Sequence, residues 1–145
     1  MPRRMTPPAL AFSHPVRVYW EDTDAGGVVF YANYLKFFER ARTEWLRTLG
    51  FGQQQLHKEQ GLLFVVTDTE LQYREPARLD DELIITVALA NASRTTLTLA
   101  QAALCGARVL AESRITLACV AAASFRPRRL PPPILDALAS EHTIK

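Results

Sequence analysis

Apolar and polar positions along the chain follow two different periods. Tyr34, Phe37, Phe38, Ala41, Trp45 and Leu49 recur at three- and four-residue spacing, which lines them along one face of an amphipathic helix that Gly50 closes. Residues 52–60 are polar and Gln-rich, which predicts a short second helix or an ordered loop ended by Gly61. From Leu62 to Tyr73 the period drops to two, with Val65, Thr67, Thr69, Leu71 and Tyr73 on one side and Asp68, Glu70 and Gln72 on the other. Glu75-Pro76 and Asp80-Asp81 punctuate a loop, and residues 83–90, rich in Ile and Val, read as the next strand. A turn at Asn91-Ala92-Ser93-Arg94 leads into a strand over 95–104, and Gly106 turns the chain into a last one over 108–122. Upstream of the helix, residues 14–20 read as the first strand. Pro15 stands at its start, where a missing N–H is tolerated.

One strand, one long helix and four further strands predict an α+β domain in which a curved five-stranded antiparallel sheet wraps the central helix. The last three strands form a meander. Such a sheet leaves unpaired edges, and edge-to-edge dimerisation hides them, so a homodimer is expected. The domain is expected over 13–130, with 1–12 and 131–145 as loosely held termini and Ile134 to Ala139 adding one helical turn.

The 145 residues, 48% of them hydrophobic, suffice for one core. A net charge of +2 gives no electrostatic case for nucleic acid or a membrane surface. The local knot Arg126-Pro127-Arg128-Arg129 reads as a solvated basic tail. Cys105 and Cys119 lie in apolar strand-like stretches, which fits small hydrophobes in a reducing compartment, and no metal-binding Cys/His spacing occurs. Pro7 and Pro8 break the early apolar stretch, and no later run approaches the roughly 18 apolar residues of a membrane span. A cytoplasmic protein is expected.

The candidate chemistry lies between the first strand and the helix, in the run Trp20-Glu21-Asp22-Thr23-Asp24-Ala25-Gly26-Gly27-Val28-Val29-Phe30-Tyr31-Ala32-Asn33-Tyr34. A carboxylate here sits near a helix N-terminus, where unpaired N–H groups and the positive dipole end collect and suit an oxyanion. Gly26 and Gly27 let the loop turn sharply and bring backbone close to a ligand. Asp22 reads as a turn or hydrogen-bonding residue, Glu21 as a solvated or helix-contacting one, and Asn33 as a helix cap. A calcium loop beginning at Asp22 would need an acid at its twelfth position and finds Asn33. No nucleophile elbow occurs, His57 and His142 lie far from the run, and His14 reads as a strand-entry residue.

The residues Glu21 to Val29, followed by Ala32-Asn33-Tyr34 and Glu39-Arg40-Ala41-Arg42-Thr43-Glu44, resemble the hotdog-fold acyl-CoA thioesterases. The nearer branch is the YbgC-like type, with the 4-hydroxybenzoyl-CoA thioesterases as close relatives. Pro76-Ala77-Arg78-Leu79-Asp80-Asp81 resembles the loop after that family's second strand. The resemblance covers roughly residues 15–130. It implies hydrolysis of an acyl-coenzyme A thioester without metal or redox cofactor, at sites on a dimer interface, with two dimers commonly forming a homotetramer. Acyl carrier protein is the alternative thioester-bearing partner.

By motif position the catalytic carboxylate falls on Asp24. Seven residues later the YbgC-like branch carries a histidine; this chain has Tyr31, as the 4-hydroxybenzoyl-CoA branch does, where the backbone N–H polarises the thioester carbonyl. Trp20 stands where the YbgC-like branch prefers tyrosine. Asp24 would act either as nucleophile, through a mixed anhydride, or as general base on water, and both routes stay open. Gly27, Val28 and Asn33 fall among the substrate-binding positions, Phe64 and Val66 line the acyl pocket or simply pack, and Arg94 matches a basic position near the CoA phosphates. Two rival readings are an acyl dehydratase, which wants a histidine paired with an acid in the helix region, and a module that binds acyl-CoA or acyl carrier protein without cleaving it.

Overall fold

The computed structural model describes residues 12–143, so the expected looseness of 1–11 lies outside the described residues. Five strands, β1 (Phe12–Arg17), β2 (Leu62–Tyr73), β3 (Glu82–Ala92), β4 (Thr96–Cys105) and β5 (Arg108–Ala121), form one antiparallel sheet in the order β1-β3-β4-β5-β2. Against it packs α1 (Tyr34–Thr48), followed by α2 (Gln53–Gln60). Phe37, Phe38, Ala41, Trp45 and Leu46 are fully buried from the helix side, and meet Ile85, Val87, Leu97, Leu99 and Ile115 in one core. Each large side chain removed from water there contributes about 1.5–3 kcal/mol.

Arg42 also points inward and is buried, which the apolar periodicity did not foretell. Its Nη1 donates to Gln101 Oε1 (3.0 Å), while Gln101 Nε2 donates to the carbonyls of Phe38 (3.0 Å) and Thr86 (3.4 Å). Burial lowers the Arg42 pKa, with Glu39 pulling the other way, but a guanidinium remains charged regardless. This polar tie pins the middle of α1 to the sheet.

Three expectations shift. The first strand starts earlier and stops at Arg17 instead of Trp20, because the Asp22 carboxylate captures the Tyr19 N–H (2.8 Å) and folds Trp20–Asp22 into a 3-10 turn. Pro15 therefore lies within β1, opposite Ile84, and is accommodated because β1 is an edge strand. In β2 a bulge at Thr67 adds one residue between the pairs Val66–Leu117 and Asp68–Thr116. Phe64 and Val66, rather than Val65 and Thr67, thus share the face of Thr69, Leu71 and Tyr73. Finally, the C-terminal stretch is not loose where it is described: α3 (Pro132–Thr143) has three turns, and Leu130, Ile134 and Leu138 are buried in the core. No helix among the described residues is long and apolar enough to cross a membrane.

Candidate active site

Residues 23–29 form a small hairpin. Thr23 and Val29 make an antiparallel bridge, the Asp24 N–H donates to the Val28 carbonyl (2.9 Å), and the Gly27 N–H returns to the Asp24 carbonyl (3.0 Å). Gly27 has φ +77°, a conformation that costs glycine nothing. The Gly26 N–H donates to Asp24 Oδ1 (2.8 Å), so the carboxylate is held by its own turn. Oδ2 has no partner among the described residues, and the side chain is exposed. Val28 bridges to Arg78 and the Val29 N–H donates to the Ala77 carbonyl (2.8 Å), which anchors the hairpin beside the start of β3.

The other aspartate is structural. Asp22 is buried, and besides the Tyr19 N–H it accepts Asn33 Nδ2 on Oδ1 (2.9 Å). Asn33 is buried as well and makes no side-chain cap bond to α1, so its amide braces the loop in place of capping the helix. Between them the chain passes through a second 3-10 turn, Tyr31–Asn33, whose Asn33 N–H is taken by the Phe30 carbonyl (2.8 Å). The N–H groups of Tyr31 and Ala32 have no acceptor among the described residues. These are the free donors expected where a helix begins.

Two clefts open here, one beside the hairpin and one beside this turn. One of about 450 Å³ is lined by Trp20, Thr23, Asp24, Ala25, Gly27 and Leu79; a second of about 260 Å³ is lined by Val29, Tyr31, Tyr34, Tyr73, Arg74 and Pro76 among others. Tyr19, Trp20 (82% exposed), Phe30, Tyr31 (65%), Tyr73 and Leu79, on or beside the segments that line them, are exposed apolar side chains. Tyr34 is the exception, buried beneath, and burial raises its phenol pKa while the Ala77 backbone opposes the shift.

Phe64 is half-buried and Val66 is 50% exposed, both farther along β2. Arg94 follows β3, whose eleven residues span about 33 Å from the hairpin end at roughly 3 Å per residue. Its carbonyl accepts the Leu130 N–H (2.8 Å), which sets it beside the basic run Arg126 to Arg129, itself tied in by the Val120–Pro127 bridge. One chain therefore sets Asp24 and Gly27 on one cleft and Tyr31 on the other, and holds Arg94 toward the far end of β3.

Residues 18–138 match the family model of the thioesterase-like superfamily. The chain belongs to this family. The acyl-CoA thioesterase YbgC of Haemophilus influenzae is 46% identical over 120 residues, 83% of this chain and 88% of that protein. The acyl-CoA thioester hydrolase YbgC of Escherichia coli is 44% identical over 125 residues, 86% and 92% of the two chains. A crystal structure of a probable thioesterase from Bartonella henselae superposes with a TM-score of 0.79 at 35% identity, covering 83% of this chain and 99% of that one. The curved antiparallel sheet around α1 is accordingly the hotdog fold.

In this thioesterase-family chain, two contacts at the site escaped the sequence. The Asp22–Asn33 bond joins residues eleven apart, and Tyr73 Oη donates to the Tyr31 carbonyl (2.8 Å) from 42 residues away. An aromatic at Tyr73, ending a strand otherwise polar over 67–72 save for Leu71, is the only sequence signal that could have found it.

Proposed function

We propose that this enzyme hydrolyses an acyl-coenzyme A thioester to a carboxylic acid and free coenzyme A, with Asp24 as the catalytic carboxylate and Tyr31 supplying a backbone N–H to the carbonyl oxygen. The observation that carries this reading is the pairing of a turn-held carboxylate at the lip of a cleft with unbonded N–H groups at the start of the neighbouring helical turn. Charge growing on the thioester oxygen meets donors that need no reorganisation, and one such donor is worth about 2.7–4 kcal/mol of barrier. Asp24 either attacks the carbonyl carbon, giving a mixed anhydride that water cleaves, or takes a proton from water that attacks directly. In both routes the C–S bond breaks and the thiolate leaves as CoA. On the base route water supplies the acid oxygen, whereas on the anhydride route water attacking the Asp24 carboxyl carbon leaves its oxygen in Asp24 and the acid departs with an Asp24 oxygen. The relatives named for acyl-CoA hydrolysis support the substrate class.

The working unit in this proposal is a dimer joined through the β2 edges. A two-fold axis across β2 sets the Tyr73 end of one copy beside the Leu62 end of the other, so the Asp24 cleft of one protomer adjoins Arg94 and the arginine run of its partner chain. Arginine forks suit the phosphates of CoA. Gly27 and Val28 then bring backbone against the thioester arm, and Phe64 and Val66 face the acyl group across the seam. Pairing of two dimers gives the tetramer, and acyl carrier protein is the alternative donor.

The test is a panel of short-chain, long-chain and aromatic acyl-CoAs followed by free thiol. Thiol release is expected, and Asp24→Asn should lower it by at least about a hundredfold, the scale of losing a principal acid–base group. Tight binding without release by the intact protein would establish a binding module instead. Single turnover in isotopic water separates the routes, since label entering Asp24 marks the anhydride.

A further inference from the structure

The Tyr73 hydroxyl is committed to a backbone carbonyl rather than to solvent, although its ring is about half exposed. The acceptor belongs to Tyr31, and the same planar peptide carries the N–H of Ala32 on its opposite side. Fixing that oxygen fixes the direction of that N–H, and accepting a hydrogen bond polarises the peptide so that the N–H donates more strongly. The anchor is itself rigid. Tyr73 pairs with Ala111 in the β2–β5 ladder, the next N–H, that of Arg74, donates to the Leu110 carbonyl (2.8 Å), and the Tyr73 ring stands edge-on to buried Tyr34 with centroids 5.6 Å apart.

From this geometry we infer that Tyr73 is a positioning residue for the oxyanion donors: it clamps the Tyr31–Ala32 peptide from the sheet, making the Ala32 N–H a second donor beside that of Tyr31. The inference rests on the thioesterase reading above. A clamp of this kind affects the transition state and leaves ground-state binding of CoA alone, because the carbonyl oxygen gains negative charge only as the tetrahedral species forms.

The experiment compares wild type, Asp24→Asn and Tyr73→Phe on the best acyl-CoA of the panel. Tyr73→Phe keeps the ring and its packing and removes only the donor. Its kcat should fall about tenfold or more with KM within about twofold, the split that marks an interaction made in the transition state. A second variant carries 3-fluorotyrosine at position 73, whose more acidic hydroxyl donates more strongly; measured below its own ionisation, its kcat should equal or exceed that of wild type. Unchanged kcat in Tyr73→Phe, or a rise in KM alone, overturns the clamp. Should Tyr73→Phe fold poorly, a fluorinated protein with kcat below wild type overturns it as well. If wild type releases no thiol from any acyl-CoA, the thioesterase reading itself has failed; release that is abolished in Asp24→Asn yet indifferent to the Tyr73 hydroxyl defeats the clamp alone.

Discussion

Gly26 and Gly27 look equivalent as letters and differ in what they guard. A Cβ added at Gly26 would stand 3.2 Å from Asp24 Oδ1, closer than ordinary contact, whereas one at Gly27 would meet nothing within 4 Å and suffer only from φ +77°. Gly26→Ala is therefore expected to displace the carboxylate and lower thiol release by about tenfold or more, with thermal stability almost unchanged. Gly27→Ala should instead lose about 1 kcal/mol in stability from the left-handed backbone, whatever it does to activity. Steady-state kinetics and a melting curve on both variants separate the two effects. Asp24 and its glycines were legible in the sequence because their bonds span two or three residues. Asn33 was not, since its amide partner Asp22 becomes a neighbour only after the hairpin closes.

Among the elements, α1 was the most legible, with its apolar face and its stop. Gly50 has φ +92°, its N–H donates to the Arg47 carbonyl (2.9 Å), and the Phe51 N–H reaches back to Leu46 (2.9 Å), the paired bonds that close a helix on a left-handed residue. β2 was legible in extent and misread in facing, because one bulged residue at Thr67 inverts a period-two pattern and a turn-free strand gives no sign of it. The C-terminal helix exceeds the single turn expected for another reason: a tail that opens on Pro131-Pro132-Pro133 reads as loosely held, yet proline is compatible with a helix's first turn. Its weight can be measured. Leu138 is buried against the core, so Leu138→Ala should cost about 2–5 kcal/mol in urea unfolding, while a detached tail would leave the midpoint where it was.

At the scale of the whole molecule, a single chain separates the groups that the proposed mechanism assigns to one acyl-CoA. Asp24 lies on the hairpin cleft and Arg94 toward the far end of β3, and the exposed aromatics beside the two clefts are uncovered. The β2 seam is testable at Val66, midway along that edge and half exposed. Val66→Lys is expected to give folded monomers by sedimentation, with circular dichroism retained and thiol release largely lost. A variant that stays dimeric and active, or a monomer with full activity, would remove β2 from the assembly. The opposite border of the sheet is less receptive to an added strand. β1 carries Pro15 among its described residues, Phe12–Arg17, and proline has no N–H to offer an incoming strand. Strand addition through β2 would therefore occupy the longer, proline-free margin among the described residues, and leave facing outward on each side of the pair the border that a further strand would find harder to join.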